Sequence, residues 1–307
     1  MRLIRLLMTA VLAWTVLAAG ALAQNGLERF EREIKPQIQL EKFVYGGSQP
    51  LGNAGFVLTD VVAVMPASSS TGDKASTLKI DRLTVEELDF DRMKDLDDDE
   101  MPRFAKLKIE GMTGDEEMFT VLTPYGVPRV PVDVVLDYRL DGKAKTFTLN
   151  KLEVALRGQA KLGLNLVIEG ISEKSSEVAE AMDDGRLGIA SLTVDDSGLL
   201  AKLLPPLARE QGQTAEGLVG VALVSLAAFC DGQGPATLKA LDAIASFIGD
   251  WQAPKGTLAI NLAPSKTAAL SDIDRVMEPN ALVDIFGLSA TYPATREGAA
   301  KAGPTGK

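Results

Sequence analysis

The alternation of apolar and polar side chains is strictest between Val130 and Leu140. Val130, Val132, Val134, Leu136, Tyr138 and Leu140 fall on one side, and Pro131, Asp133, Val135, Asp137 and Arg139 on the other. A period of two over this length predicts a half-buried strand. Asp141-Gly142 follows as a hairpin turn signal. The return strand carries Phe147, Leu149, Leu152, Val154 and Leu156. After a break at Arg157 to Ala160, Leu162, Leu164, Leu166 and Ile168 alternate with Gly163, Asn165 and Glu169. The pattern predicts three consecutive antiparallel strands, greasy on one face and polar on the other.

A second pattern recurs around these strands. Leu78-x-Ile80-x-x-Leu83-x-Val85 returns as Leu149-x-x-Leu152-x-Val154 and as Leu187-x-Ile189-x-x-Leu192-x-Val194, with Leu107-x-Ile109-x-x-Met112 as a partial copy. In each, the apolar phase slips by one residue midway. A plain strand would turn its second half inside out, so an extra residue has to be absorbed. A β-bulge does this and adds local twist. A tight turn between very short strands and a chance recurrence of common aliphatic residues are the rival explanations.

The flanks read differently. Leu27 to Phe43 has a helical pattern that Pro36 divides into two short pieces. Phe56 to Met65 is apolar enough for a buried strand, and Pro66 to Gly72 is a loop. Beyond Asp195-Asp196-Ser197-Gly198 the period becomes helical, with Asp196 or Ser197 as N-cap for Leu199 to Glu210 and Thr214 as cap for a helix ending near Cys230. Leu238, Leu241, Ile244, Ala245, Phe247, Ile248 and Trp251 place a stripe along the next helix. Thr257 to Leu262 returns as a strand, Leu270 to Phe286 as a broken helix, and Gly298 to Lys307 as a frayed tail. Leu218 to Cys230 is apolar all round apart from Ser225. A helix of that kind either dips into a membrane or forms the central core helix under a sheet, the second being the commoner use.

The first residues are set apart from the fold. Arg2 and Arg5 precede an apolar stretch from Leu6 to Ala19, and Ala21-Leu22-Ala23 supplies the small residues of a peptidase site. This predicts an export signal cleaved after Ala23, although Leu6 to Ala23 is nearly long enough to remain as an anchor.

Composition narrows the chemistry. Among 307 residues there is no histidine and one cysteine. Imidazole bases, Ser-His-Asp and Cys-His relays, His-bearing zinc sites and internal disulfides are therefore excluded. An exported chain without disulfides points to a bacterial envelope and a periplasmic location. Cys230, in an apolar helical context, is expected to be buried and inert. The net charge of −10 argues against nucleic acid as a partner and against electrostatic adhesion to anionic lipid. Asp95, Asp97, Asp98, Asp99 and Glu100 begin like a calcium loop, but Glu100 replaces its turn glycine and Lys106 its bidentate glutamate, so the segment reads as solvated. Ser76-Thr77-Leu78-Lys79 fits S-x-x-K, yet it leads into a strand rather than a helix and lacks its companion motifs. G-x-S-x-G, Walker A and G-x-G-x-x-G are absent. A carboxylate pair of the glycosidase kind is compatible with this composition, but 42 acids give no basis for choosing one.

The L-x-[IL]-x-x-L-x-V strands, with TVDDSGLLAKLLPPLAREQG and WQAPKGTLAINLAPS behind them, resemble uncharacterised exported Gram-negative envelope proteins of the AsmA and YdgA type. The resemblance implies lipid handling or outer-membrane homeostasis along an apolar groove. The chain departs from it in being far shorter and in lacking a clear anchor, and no site residue carries over.

The expected protein is α+β, a twisted antiparallel sheet packed on its greasy face by C-terminal helices. Residues 24–297 form one domain, β-rich over 44–195 and helix-rich over 196–288. It is expected to be noncatalytic, without cofactor or metal. Its partners would be a lipid or other apolar ligand, or an envelope protein, with the membrane touched only peripherally. Any groove left between sheet and helices would be lined by Val132, Val134, Leu136, Tyr138, Leu149, Leu152, Val154, Leu164, Leu166 and Ile168. If the helices cover the whole face, the protein is instead a closed structural or interaction module. A carboxylate-based hydrolase is the third reading.

Overall fold

A computed structural model describes residues 25–67, 75–94, 100–115, 123–174 and 184–294. The export segment, most of the 66–72 loop, the acidic run 95–99 and the C-terminal tail lie outside the described residues. The strands are β1 (Lys42–Val44), β2 (Gly47–Leu51), β3 (Gly55–Met65), β4 (Ser76–Leu88), β5 (Phe104–Gly114), β6 (Val132–Asp141), β7 (Thr146–Leu156), β8 (Ala160–Glu169), β9 (Arg186–Asp196), β10 (Thr257–Leu262), β11 (Ala268–Ala269) and β12 (Leu288–Ala294). The helices are α1 (Gly26–Arg29), α2 (Phe90–Met93), α3 (Leu199–Glu210), α4 (Ala215–Phe229), α5 (Pro235–Gly249) and α6 (Ala281–Asp284). After α1 the chain continues helically through a wider turn, Phe30–Ile34, and a tighter one, Lys35–Gln37, in which Pro36 ends the run.

All twelve strands belong to one open antiparallel sheet, ordered β1-β3-β4-β5-β6-β7-β8-β9-β10-β12, with β2 also on β3 and β11 on β9. The expected α+β class holds. The meander is found as β6, β7 and β8, with Val134 opposite Val154 and Leu152 opposite Leu164. The phase slips are bulges. In β7 the register shifts between Leu149 and Leu152, and in β5 between Ile109 and Met112. In β9 the extra residue is Gly188, so Ile189 turns to the polar face beside Val167 while Leu187, Leu192 and Val194 stay on the greasy one. β3, β4 and β5 slip together. Asp60, with φ of 53°, and Gly111, with φ of 67°, lie in the same row as Asp81. A Cβ on Gly111 would come within 1.9 Å of Asp81 Oδ2, and the Gly111 N–H donates to Asp133 Oδ1 at 2.7 Å. Only glycine meets both demands there.

The slips keep one apolar face continuous across the sheet, and it is covered at both ends. Near the N-terminus Phe30 and Ile34 pack on Phe56, Leu58, Val61, Ile80 and Val85, with Phe30 stacked on Phe56 at 4.6 Å. At the far end α5 lies on β10 and β12 through Ala240 and Ala243, against Leu288, Ala290 and Ile260. The alanines let helix and sheet approach closely, so α5 takes the place that α4 was expected to fill. α4 packs on α3 and α5 through Ala215, Val219 and Leu218, and Cys230 at its C-cap is only half-buried rather than enclosed. Thr214 is the N-cap of α4 as expected, whereas the N-cap of α3 is Gly198 and Asp196 serves its first turn from two residues further back. Asp196 Oδ1 accepts from the Leu199 and Leu200 amides, and Thr214 Oγ1 from that of Gly217. The final strand, β12, was not anticipated.

Candidate functional site

The centre of the greasy face is left open. The main backbone contacts between helices and sheet fall on β2, β3, β10 and β12, and among the described residues no helix packs extensively on β6, β7 or β8. The cover from the C-terminal helices is therefore partial, which is the condition for a groove. Of the ten residues expected to line it, Val132, Val134, Leu136, Leu152, Val154, Leu164 and Leu166 are half-buried on one face in adjacent register. The other three are closed over. Tyr138 donates its hydroxyl to the Pro102 carbonyl at 3.2 Å, Leu149 is buried, and Ile168 packs with Met101, Leu140, Phe147 and Ile171. The strap formed by residues 101–103 and 171–174 thus caps one end of the strands.

The same register adds residues to the floor that were not counted as groove-lining. Leu156 lies opposite Val132, Leu162 opposite Val154 and Val194, and Leu192 opposite Leu164. Leu162 is 41% exposed. The alternation already marked Leu156 and Leu162. Leu192 and Val194 needed the pairing partner, which only the fold supplies.

α3 closes the other end. It starts beside the last residue of β9 and reaches Tyr125, in the turn before β6, where Tyr125 Oη lies 3.4 Å from Glu210. Lys202 bonds the side chain of Gln159 in the β7–β8 turn on the way. Twelve residues give about 18 Å of helix, enough to cross the roughly 14 Å between β6 and β9 at about 4.8 Å per strand. The result is a trough, walled by the two end cores, capped by the strap and α3, and floored by aliphatic side chains.

On β6–β8 the charged side chains lie on the opposite face, and the acid that ends a row of the greasy face is Asp196 of β9, buried opposite Ala160. Arg157 grips Asp133 with two bonds of 2.8 and 2.7 Å, Glu153 bridges Lys151 and Lys161, and Arg139 pairs with Glu87. The Arg157 guanidinium bonded to Asp133 holds that carboxyl below its ordinary range. The titratable group on the greasy face of β6–β8 is Tyr138, whose hydroxyl is pushed up first by burial and then by the charge of Asp89. The half-buried floor side chains of β6–β8 are all hydrocarbon and supply no acid, base or nucleophile. At the strap end of the strands a polar cleft of about 400 Å³ is bordered by Arg92, Arg103, Arg139 and Lys143, but its arginines are held by carboxylates: Arg92 by Glu100 and Glu173, Arg103 by Asp89, Arg139 by Glu87. Among the described residues no group of three or more His, Cys, Asp or Glu side chains is placed to hold a metal ion.

Fold and site together define an α+β protein with a single-layer antiparallel sheet and an apolar trough across its middle. A family described only as "Uncharacterized protein" matches residues 146–293, a span that begins at the first residue of β7 and ends within β12, so it takes in β7–β9 of the floor and the C-terminal helical wall. No curated protein matches the chain.

Proposed function

We propose that this is an exported, noncatalytic protein of a bacterial envelope, cleaved after Ala23, that holds an acyl chain or a similarly apolar ligand along the trough. The observation that carries the reading is the uncovered floor of Val132, Val134, Leu136, Leu152, Val154, Leu164 and Leu166. Covering half-exposed aliphatic side chains recovers on the order of 0.5–1 kcal/mol each at about 25 cal/mol per Å². Each methylene removed from water on the ligand adds about 0.8 kcal/mol. Set against the cost of immobilising a flexible ligand, this favours reversible binding in the micromolar range. With no charge on the floor, the ligand is selected by its hydrocarbon, and the arrangement suits carriage or storage better than turnover.

The test is native mass spectrometry of protein purified from the periplasm of an expressing bacterium. Wild type should carry an added lipid mass, and a Leu136→Asp/Leu164→Asp variant that keeps its circular dichroism should not. Bare polypeptide in both, with no uptake of a fluorescent fatty acid, would leave the closed interaction module as the better reading.

A further inference from the structure

Of the other surfaces, α4 stands out. From Gly217 to Cys230 the chain holds no charged residue, and the helix is not sunk in a core. Val221 is 56% and Val224 70% exposed, with Leu238 of α5 at 39% beside it. Ala222, Ser225, Ala227 and Ala228 are exposed as well. An apolar cleft of about 400 Å³ separates α4 from α5, lined by Leu223, Leu226, Leu238 and Leu241. No single described helix is long and apolar enough to cross a membrane, but α3 and α4, bent by 93°, meet that test of length and composition together.

We propose that α4 seats the protein on a bilayer of zwitterionic lipid, sinking Val221 and Val224 into the boundary between headgroups and acyl chains. Length argues for lying in the surface rather than spanning it, since 15 residues make only about 22 Å of helix against a hydrocarbon core of about 30 Å. Area argues against a second copy of the chain. The exposed apolar surface of α4 and Leu238 is roughly 300–400 Å², under half of the ~800 Å² that each partner of a stable complex buries. A helix that docks on protein shows an apolar stripe flanked by charge, whereas the exposed positions of α4 beyond Glu216 are uncharged all round, as the interior of a lipid layer requires. The chain's charge of −10, with no lysine or arginine on α4, fits neutral rather than anionic headgroups. α5, on which α4 packs, lies on the greasy face of the sheet, so the seat and the trough are on the same side of it. The proposal does not rest on ligand binding in the trough.

Flotation of the protein purified from the periplasm, as in the mass-spectrometry test, with phosphatidylcholine vesicles tests it. Wild type should float, and Val221→Asp/Val224→Asp should partition at least tenfold less while melting at the same temperature and taking up a fluorescent fatty acid in lipid-free buffer as before. Should that variant fail to fold, Val224→Trp replaces it, and brominated phosphatidylcholine should quench its added fluorescence. Equal flotation of wild type and the aspartate variant, no flotation of either, or an unquenched tryptophan would overturn the proposal. So would dimerisation in lipid-free buffer that the aspartate variant abolishes, which would assign the surface to a second copy. Loss of fatty-acid uptake by Leu136→Asp/Leu164→Asp reports on the trough alone.

Discussion

Truncating leucines at matched chemistry separates an open floor from a closed core. Leu58 is completely buried, 0% exposed, between the N-terminal helix and the sheet. Leu58→Ala leaves a cavity that its neighbours cannot fill, and 2–5 kcal/mol is the usual cost of such a change. Leu136 and Leu164 face the same side of the sheet but are half-buried, on strands that no described helix packs on extensively. The carbons removed there already meet water over part of their surface, and the space left opens to solvent instead of forming a void. The expected cost of Leu136→Ala or Leu164→Ala is about 1 kcal/mol, since only part of the transfer term is lost and no cavity term is added. Urea unfolding of the three variants measures this directly, and in the same samples the floor variants should bind a fluorescent fatty acid about tenfold more weakly, a change of about 1.4 kcal/mol. If Leu136→Ala and Leu164→Ala destabilise as much as Leu58→Ala, the floor is covered by the chain itself and the argument for a trough fails.

Asp89 offers a separate check on the fold. Its side chain is 2% exposed and accepts from Arg103 Nε at 2.6 Å, from Arg103 Nη2 at 2.9 Å and from the Arg103 amide at 3.0 Å. Burial opposes its ionisation, but the bonds and charge of Arg103 outweigh it and hold the carboxyl below its ordinary range. Its contribution to stability is therefore complete above the unfolded value near 4 and is lost as pH falls through the lower folded value. Asp89→Asn should cost about 3 kcal/mol at pH 7, and its stability should fall less than that of wild type between pH 5 and 2 in urea titrations; parallel curves would refute the assignment. Gly111→Ala must hold a positive φ and meet Asp81, and should cost about 1–3 kcal/mol in the same assay; an unchanged midpoint would show that the bulge row is not constrained there. Fatty-acid affinity should be the same at 20 and 500 mM salt, because the floor carries no charge and the nearby arginines are already paired. A tenfold loss at high salt would move the site to the polar cleft.

Patterns with one structural meaning carry over from the chain into the fold. Strict alternation over Val130 to Leu140, the cap at Thr214 and the polar turn at Asp196–Gly198 are local facts, and the strand, from Val132, and the helices they announce are present, with Gly198 rather than Asp196 at the N-cap of α3. The phase slip at Leu149–Leu152 was legible as a bulge because turning half a strand inside out is prohibitive when one face is greasy. In the third copy the pattern was misleading about the site of the slip, since Gly188 has no side chain to mark a face. β12 was missed because Leu288 to Ala294 is short and contains Pro293, an unpromising residue for a strand except at an edge, which is where it lies. The site was half legible. The ten side chains share the predicted face, but which of them are covered depends on the strap and on where α5 docks, and both are long-range contacts that no local pattern records.

An exposed greasy sheet invites aggregation by its edges and by its face. The edges are blunted. β2 carries Pro50 and β12 carries Pro293, each lacking the N–H that a further strand would need, and β1 is only three residues long. The polar face is laced with ion pairs such as Asp133–Arg157 and Glu153–Lys161, so sheets do not stack there. What the fold leaves unprotected is the middle of the greasy face, where neither end core reaches. Closing it would have taken one more helix in register with β6–β8, and α4 has the length and the apolar character for that place, yet it is held away on α3 and α5. A chain that has such a helix and docks it elsewhere leaves its floor open, which is the condition that the proposed apolar ligand requires.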